Sequence, residues 1–150
     1  VFGARSHNSD RRAFIKIYDF IQKSRENARA FIEGFYDSEG SLDQRKRTKI
    51  LKSREKLSFH SQEWRIEIYN TNHDLLRFIQ ALLSDFFNIE SKLRLKRPKG
   101  FVQLSPKKIL IKYSKDCWRL CIRKQANVKE FARSIHSSIP RKNLNLENPS

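Results

Sequence analysis

The sequence predicts an α+β fold: a curved antiparallel sheet with helices on one face and a charged surface on the other. Three observations predict it. The segments run as helix, two strands, helix, two or three strands, helix, and paired strands without single β–α alternation favour helices packed on one side of an antiparallel sheet. Within the strand-like runs apolar residues alternate with charged ones, as Trp64, Ile66 and Ile68 do with Arg65 and Glu67, so one face meets a core and the other does not. The net charge of +16 resides on the strand-like segments and not on the helices.

The elements follow in order. Residues 1–9 read as a flexible arm. Asp10 can cap a helix through Phe14, Ile15, Ile17, Tyr18, Phe20 and Ile21. The polar run at 23–27 breaks it, and a second helix spans 28–39, stopping at Gly40 as a left-handed helix end. A polar strand is expected over 42–54 and a second over 57–70, together a hairpin. Asp74 can cap a helix to Phe87, where Leu75, Leu76, Ile79, Leu82, Leu83 and Phe86 keep helical spacing. Strand-like runs follow at 91–96, 107–113 and 118–123, with turns at 98–100 and 114–116. The last helix is expected over 126–136, with Val128, Phe131, Ala132 and Ile135 inward, ended by Pro140. The tail, 143–150, reads as flexible. With 150 residues the expectation is a single domain over 1–150, large enough to bury a core.

The charge is segregated. Residues 41–56 hold seven basic side chains against Asp43 and Glu55, and residues 92–124 hold twelve against Asp116 alone. These two windows account for the whole excess; the rest of the chain is neutral. Such a field attracts polyanions, nucleic acid before anionic membrane. No apolar run is long enough to span a bilayer and no secretory signal is visible. The expectation is an intracellular protein (cytoplasm, nucleoid or organelle) with no membrane partner and no small-molecule cofactor. Cys117 and Cys121, without a His or Cys cluster nearby, read as small buried residues. His7, His60, His73 and His136 are scattered and lack metal spacing.

The chemistry concentrates at Ile32-Glu33-Gly34-Phe35-Tyr36-Asp37-Ser38-Glu39-Gly40. Ala30, Gly34 and Ser38 recur every four residues, a small-residue stripe that lets two helix backbones approach. The helix then ends on an acid followed by glycine. Around a two-fold axis, two such helices bring two Glu39 carboxylates together, an isologous interface and a way to build a divalent-metal site.

This segment resembles the nine-residue LAGLIDADG pattern. Gly34, Asp37 and Gly40 match it; Ile32, Phe35 and Tyr36 keep apolar or aromatic character; Ser38 keeps small size and Glu39 the acid. Glu33 departs, so that position must be tolerant or exposed. The context adds to the likeness: Ile68-Tyr69-Asn70-Thr71-Asn72 before a helix, Phe87-Asn88-Ile89-Glu90-Ser91 after it, and Ile139-Pro140-Arg141-Lys142 near the end. The resemblance covers roughly residues 28–142.

The resemblance to LAGLIDADG homing endonucleases implies an αββαββα unit whose sheet lies along the DNA major groove. One motif per chain implies a homodimer on a long, partly palindromic duplex. It further implies intron or intein association and hydrolysis with Mg²⁺, or Mn²⁺ or Ca²⁺ in its place, leaving short 3′ overhangs. Carried over by position, Glu39 is the metal ligand, with the Ser38 carbonyl beside it. Asn70 positions water and Lys142 supports the transition state. Ala30, Gly34, Asp37 and Ser38 form the dimer interface. Strand parity selects Asp43, Arg45, Arg47 and Lys49, then Ser61, Glu63, Arg65 and Glu67, then Arg94 and Lys96, as base-reading positions. Lys46, Lys107, Lys108, Lys112 and Lys115 are expected on phosphates. Two other readings use the same features: a non-cleaving binder on this scaffold (an RNA maturase or DNA-binding regulator), and a generic basic RNA-binding protein.

Overall fold

The computed structural model describes residues 7–50 and 58–145, with 7–14, 45–50 and 58–62 described by their backbone alone. The elements are α1 (His7–Gln22), α2 (Arg25–Glu39), β1 (Gly40–Ile50), β2 (Ser58–Asn70), α3 (His73–Phe87), β3 (Lys92–Arg97), β4 (Val102–Leu104), β5 (Leu110–Lys112), β6 (Cys117–Ile122) and α4 (Gln125–Ser134), closed by a 3-10 turn, Pro140–Lys142. The α+β expectation holds. β1, β2, β6 and β3 form a four-stranded sheet in that order, each neighbouring pair antiparallel.

The helix starts differ from the expected caps. α1 begins at His7, inside the expected arm, so Asp10 lies within the helix. α2 begins three residues earlier than expected because the Ser24 side chain accepts from Asn27 N at 3.1 Å, meeting an otherwise orphaned amide. α3 is capped by Asn72, whose side chain accepts from Leu75 N at 3.1 Å, and not by Asp74. It ends at Asn88 in the left-handed conformation, φ 55°.

The core lies between the helices and one sheet face. Ala28, Ile32 and Tyr36 of α2, Ile66 and Ile68 of β2, Leu76, Ile79, Leu82 and Leu83 of α3, Leu120 and Ile122 of β6, and Val128 and Phe131 of α4 are all buried in it. Each buried Val, Leu, Ile or Phe side chain among them contributes about 1.5–3 kcal/mol by leaving water. Leu42 pairs with Ile66, and Ile68 with Leu120, so Leu42, Trp64, Ile66, Ile68, Trp118, Leu120 and Ile122 meet the core. The described odd-numbered positions between them, such as Asp43, Arg65, Glu67 and Arg119, alternate to the other face.

The run at 107–113 does not join this sheet. Its strand β5 pairs with β4, for which the sequence pattern predicts no strand, in a separate two-stranded hairpin. β5 has no buried residue, and Leu110 is 72% exposed; without a face against the core it stays outside the sheet. The last helix ends at Ser134, well before Pro140, and Pro140 instead opens the 3-10 turn. Asn143 and Leu144 of the expected tail are tied down: the Asn143 side chain accepts from Ser137 N at 2.8 Å, and Leu144 packs on the core. The arm at 1–6, the strand positions 51–54 and 57, and the tail at 146–150 lie outside the described residues. No helix among the described residues is long and apolar enough to cross a membrane.

Candidate active site and nucleic-acid interface

The site begins with the two faces of α2. Ala28, Ile32 and Tyr36 are buried, whereas Ala30, Gly34 and Ser38, half a turn away, are exposed. The small-residue stripe is therefore presented outward. A Cβ built on Gly34 meets nothing within 4 Å. Nothing described in this chain requires a glycine there, although glycine costs a helix interior about 1 kcal/mol against alanine.

Gly40 is different, and the expected left-handed helix end is not its reason. Its φ is −93° and ψ 161°, extended backbone open to any residue. What excludes a side chain is Tyr36: a Cβ on Gly40 would fall 2.0 Å from the ring Cδ1 and 2.7 Å from the Tyr36 carbonyl. The strand leaves α2 pressed against that ring. The ring is fixed from below by edge contact with Phe131, centroids 5.0 Å apart. Its hydroxyl donates to the Lys142 carbonyl at 2.8 Å. Burial, then the neighbouring Asp37 charge, pushes the phenol well above its usual range.

Glu39 is the last residue of α2 and is exposed. No hydrogen bond or ion pair engages its carboxylate among the described residues. Ser38 turns its hydroxyl back to the Phe35 carbonyl at 3.1 Å, so its carbonyl, and not its hydroxyl, is the oxygen to consider as a ligand. No group of three or more His, Cys, Asp or Glu that could hold a metal exists among the described residues. One free carboxylate and one carbonyl suit a small hard cation that takes its remaining ligands from water, phosphate or a second carboxylate. The donor set fits as half a site.

The Asp37 side chain, expected at a subunit interface, is committed within the chain. It accepts from Ser137 Oγ at 2.5 Å, Ser138 Oγ at 2.6 Å and Ser138 N at 3.1 Å. The hydroxyl bonds from Ser137 and Ser138 hold its carboxyl below the ordinary range, helped by the Lys142 charge. Lys142 Nζ donates to the Asp37 carbonyl at 2.6 Å and the Tyr36 carbonyl at 3.2 Å. A cation on the last carbonyls of a helix is favourable, so the strap 137–143 closes over the end of α2. Glu33, the departure from the motif, accepts from His136 N at 3.1 Å and ties α2 to the start of this strap. Asn70 reaches the same end of the sheet, since Gly40 pairs with Ile68. Its Oδ1 accepts from Asn72 N at 2.7 Å, a turn-forming bond.

Of the positions that parity selected, those with described side chains, Asp43, Glu63, Arg65, Glu67, Arg94 and Lys96, face away from the core. Asp43 pairs with Arg65, Arg45 with Glu63, Arg47 with Ser61 and Lys49 with Phe59 across β1 and β2; the side chains of Arg45, Lys46, Arg47, Lys49 and Ser61 lie outside those described. Arg94 faces Arg119 across β3 and β6. Arg65 and Glu67, expected as base readers, are 7% and 3% exposed despite facing away from the core. They are buried by each other and by their neighbours. Arg65 bonds Asp43 at 2.9 Å and Glu67 at 2.7 Å, Arg119 lies 4.0 Å from Glu67, and the Tyr69 hydroxyl donates to Glu67. Lys96 then donates to the Tyr69 hydroxyl at 3.0 Å. Sequence reasoning missed Tyr69 and Arg119, though the alternation with Trp118, Leu120 and Ile122 places Arg119 on this face. Lys107, Lys108, Lys112 and Lys115 lie on or beside the separate β4–β5 hairpin, all exposed.

Helices on one face of a four-stranded antiparallel sheet, with an acid-ended helix entering its edge strand, define a LAGLIDADG-type unit. The chain belongs to that family: the model described as LAGLIDADG-like domain matches residues 26–136. Among solved structures, it is similar to the archaeal intron-encoded homing endonuclease I-Vdi141I complexed with DNA, at 12% identity and TM-score 0.43, over 73% of this chain and 54% of that one. It is also similar to the group I intron-encoded homing endonuclease I-CeuI complexed with DNA, at 15% identity and TM-score 0.42, over 87% and 61% of the two chains. The chain thus spans less than two thirds of either structure. No curated protein matches it.

Proposed function

We propose that this chain is a site-specific, divalent-metal-dependent DNA endonuclease of the homing type, a single domain acting as a homodimer. The observation that carries the reading is Glu39: an exposed carboxylate, unengaged among the described residues, at the end of a helix whose outer face is a stripe of small residues. A lone acid is a poor metal site. Two copies, brought together through Ala30, Gly34 and Ser38, make a good one. Gly34 supports this, because no neighbour described within its own chain explains it.

In this reading DNA lies along the outward sheet face. Glu39 and the Ser38 carbonyl of each subunit hold Mg²⁺, or Mn²⁺ or Ca²⁺ in its place. When bound, the cation supplies Lewis-acid stabilisation of phosphoryl charge and a more acidic water. The protein's own residues do the rest. Lys142, held on the α2 carbonyls, fixes the terminus that presents Glu39 and adds positive potential beside the scissile phosphate. Asn70 offers its amide for water orientation from the end of β2. Among the base-reading positions, Asp43, Arg65 and Glu67 form a preset ion-pair chain. Arg94 and Lys96 are the described cations exposed on that face. Arg45, Arg47, Lys49, Ser61 and Glu63 complete the face by parity, and Lys46, Lys107, Lys108, Lys112 and Lys115 take phosphates. The gene setting is an intron or intein, and the products carry short 3′ overhangs.

The experiment is cleavage of a library of long, partly palindromic duplexes with Mg²⁺, with cut ends mapped. Wild-type protein is expected to cut both strands at a recurring site, and Glu39→Gln to bind the same duplex without cutting. Undiminished cutting by Glu39→Gln removes Glu39 from the mechanism.

A further inference from the structure

A cleft of about 790 Å³ lies at the end of the sheet where β3 begins and β6 ends, walled by α3 and the start of α4. Six cations line it: Arg77, Lys92, Arg94, Arg119, Arg123 and Lys124. Its two acids, Asp85 and Glu90, leave a strong positive excess. Cations gathered this closely repel one another, and an anion among them relieves the cost.

Three further features favour an anion over water alone. Arg119 Nε and Ser91 Oγ are buried on lining residues without a hydrogen-bond partner; groups in that state ordinarily meet a ligand or ordered solvent. α4, ten residues long, starts at this cleft, and no side chain caps its first amides, so its positive end is unanswered. Finally, the centre of the outward face carries no positive excess of its own, since Asp43 and Glu67 both pair with Arg65. Uncompensated charge lies instead toward this end.

We propose that the cleft is a phosphate site that takes the sugar-phosphate backbone of the duplex where it runs past the end of the sheet. The inference rests on the reading of the outward face as the DNA surface. It adds that the duplex is held beyond the strands, by Lys92, Arg123 and Lys124 around the sheet end. Arg119 links the two regions, its terminal nitrogen 4.0 Å from Glu67 while the residue also lines the cleft.

The test is lysine acetylation of the full chain, mapped by mass spectrometry, in three states: alone, with a 40-base-pair duplex (about four helical turns), and with inorganic phosphate. Lys92 and Lys124 are both exposed in the free protein. Their protection by the duplex supports the site and assigns it to backbone phosphate. Their protection by inorganic phosphate but not by the duplex overturns the backbone assignment. Protection of Lys96 and Lys112 by the duplex without Lys92 and Lys124 overturns the cleft while leaving the endonuclease reading intact. No lysine protected in any state defeats both. Independently, replacing Arg123 and Lys124 with Ala should make the salt dependence of duplex affinity shallower by about two phosphates' worth. Replacing Lys16 and Lys23 on the opposite helical layer should leave it unchanged. Equal slopes for the two pairs overturn the proposal.

Discussion

The contact between Gly40 and Tyr36 gives two glycines of one motif opposite responses to the same substitution. In Gly40→Ala the new methyl would stand 2.0 Å and 2.5 Å from two ring carbons of Tyr36, far inside the roughly 3.5–4.0 Å at which carbons attract. The ring cannot step aside: Tyr36 is 1% exposed, packed on Phe131 and bonded through its hydroxyl to the chain at residue 142. Overpacking of this kind costs about 1–3 kcal/mol. With backbone as well as ring in the way, the upper end applies. For a domain of this size about 3 kcal/mol lowers Tm by roughly 6–12 °C. Gly34→Ala places its methyl in open space within the subunit and gains helix propensity, about 0.5–1 kcal/mol, so the subunit's Tm should rise by a few degrees. Thermal unfolding by circular dichroism at submicromolar protein, where association contributes least, measures both. A Gly40→Ala melt within a degree of wild type refutes the packing argument. A Gly34→Ala melt that falls refutes the claim that Gly34 has no role inside its own subunit.

Further expectations come from the buried charges and the strap. Arg65→Ala removes the nearest cation from buried Glu67, leaving the Tyr69 hydroxyl and the more distant Arg119, and should cost up to about 3 kcal/mol in urea melts; the Arg65→Ala/Glu67→Ala double variant should recover part of that, and an additive loss would count against the pairing. The Asp37 carboxyl titrates below its ordinary value of 3.8, so its stabilising bonds are present above that pH and are lost as pH falls through the lower folded value. Asp37→Asn should therefore flatten the acid limb of stability against pH, and an unchanged limb would show that the clasp is not populated. Lys142→Met keeps the aliphatic stem but drops two bonds to helix carbonyls; hydrogen exchange should show faster opening at the end of α2, with cleavage falling in parallel, and unchanged exchange would remove Lys142 from that role.

The sequence revealed the sites where local chemistry and global fold agree. Apolar spacing in α2, α3 and α4 fixed the helices because each buries one face. Parity placed Arg65, Glu67 and Arg94 on the face away from the core, as the register has them, because a strand with one buried face has a single acceptable register. What escaped detection depends on long-range pairing. The burial of Arg65 and Glu67 follows from three strands converging their charges, and no window of sequence contains Asp43, Glu67 and Arg119 together. The clasp on Asp37 joins positions 100 residues apart. Gly40 was read as a helix-ending glycine because motifs encode residue type, whereas its cause is a ring one turn back. The run at 107–113 reads as one more sheet strand, yet pairs only with β4, because a strand pattern does not say which partner a strand will find.

The central claim is that two Glu39 carboxylates from two subunits form one cutting centre. It is tested most directly by mixing wild-type protein with Glu39→Gln protein, letting subunits exchange, and measuring total strand cleavage of the mapped target, nicks included, against the mixing ratio. If both carboxylates are needed together, cleavage follows the fraction of wild-type homodimers, and equal mixing leaves about one quarter of the activity. A linear decline, with about one half remaining at equal mixing, would mean that each Glu39 acts alone and that the shared site does not exist.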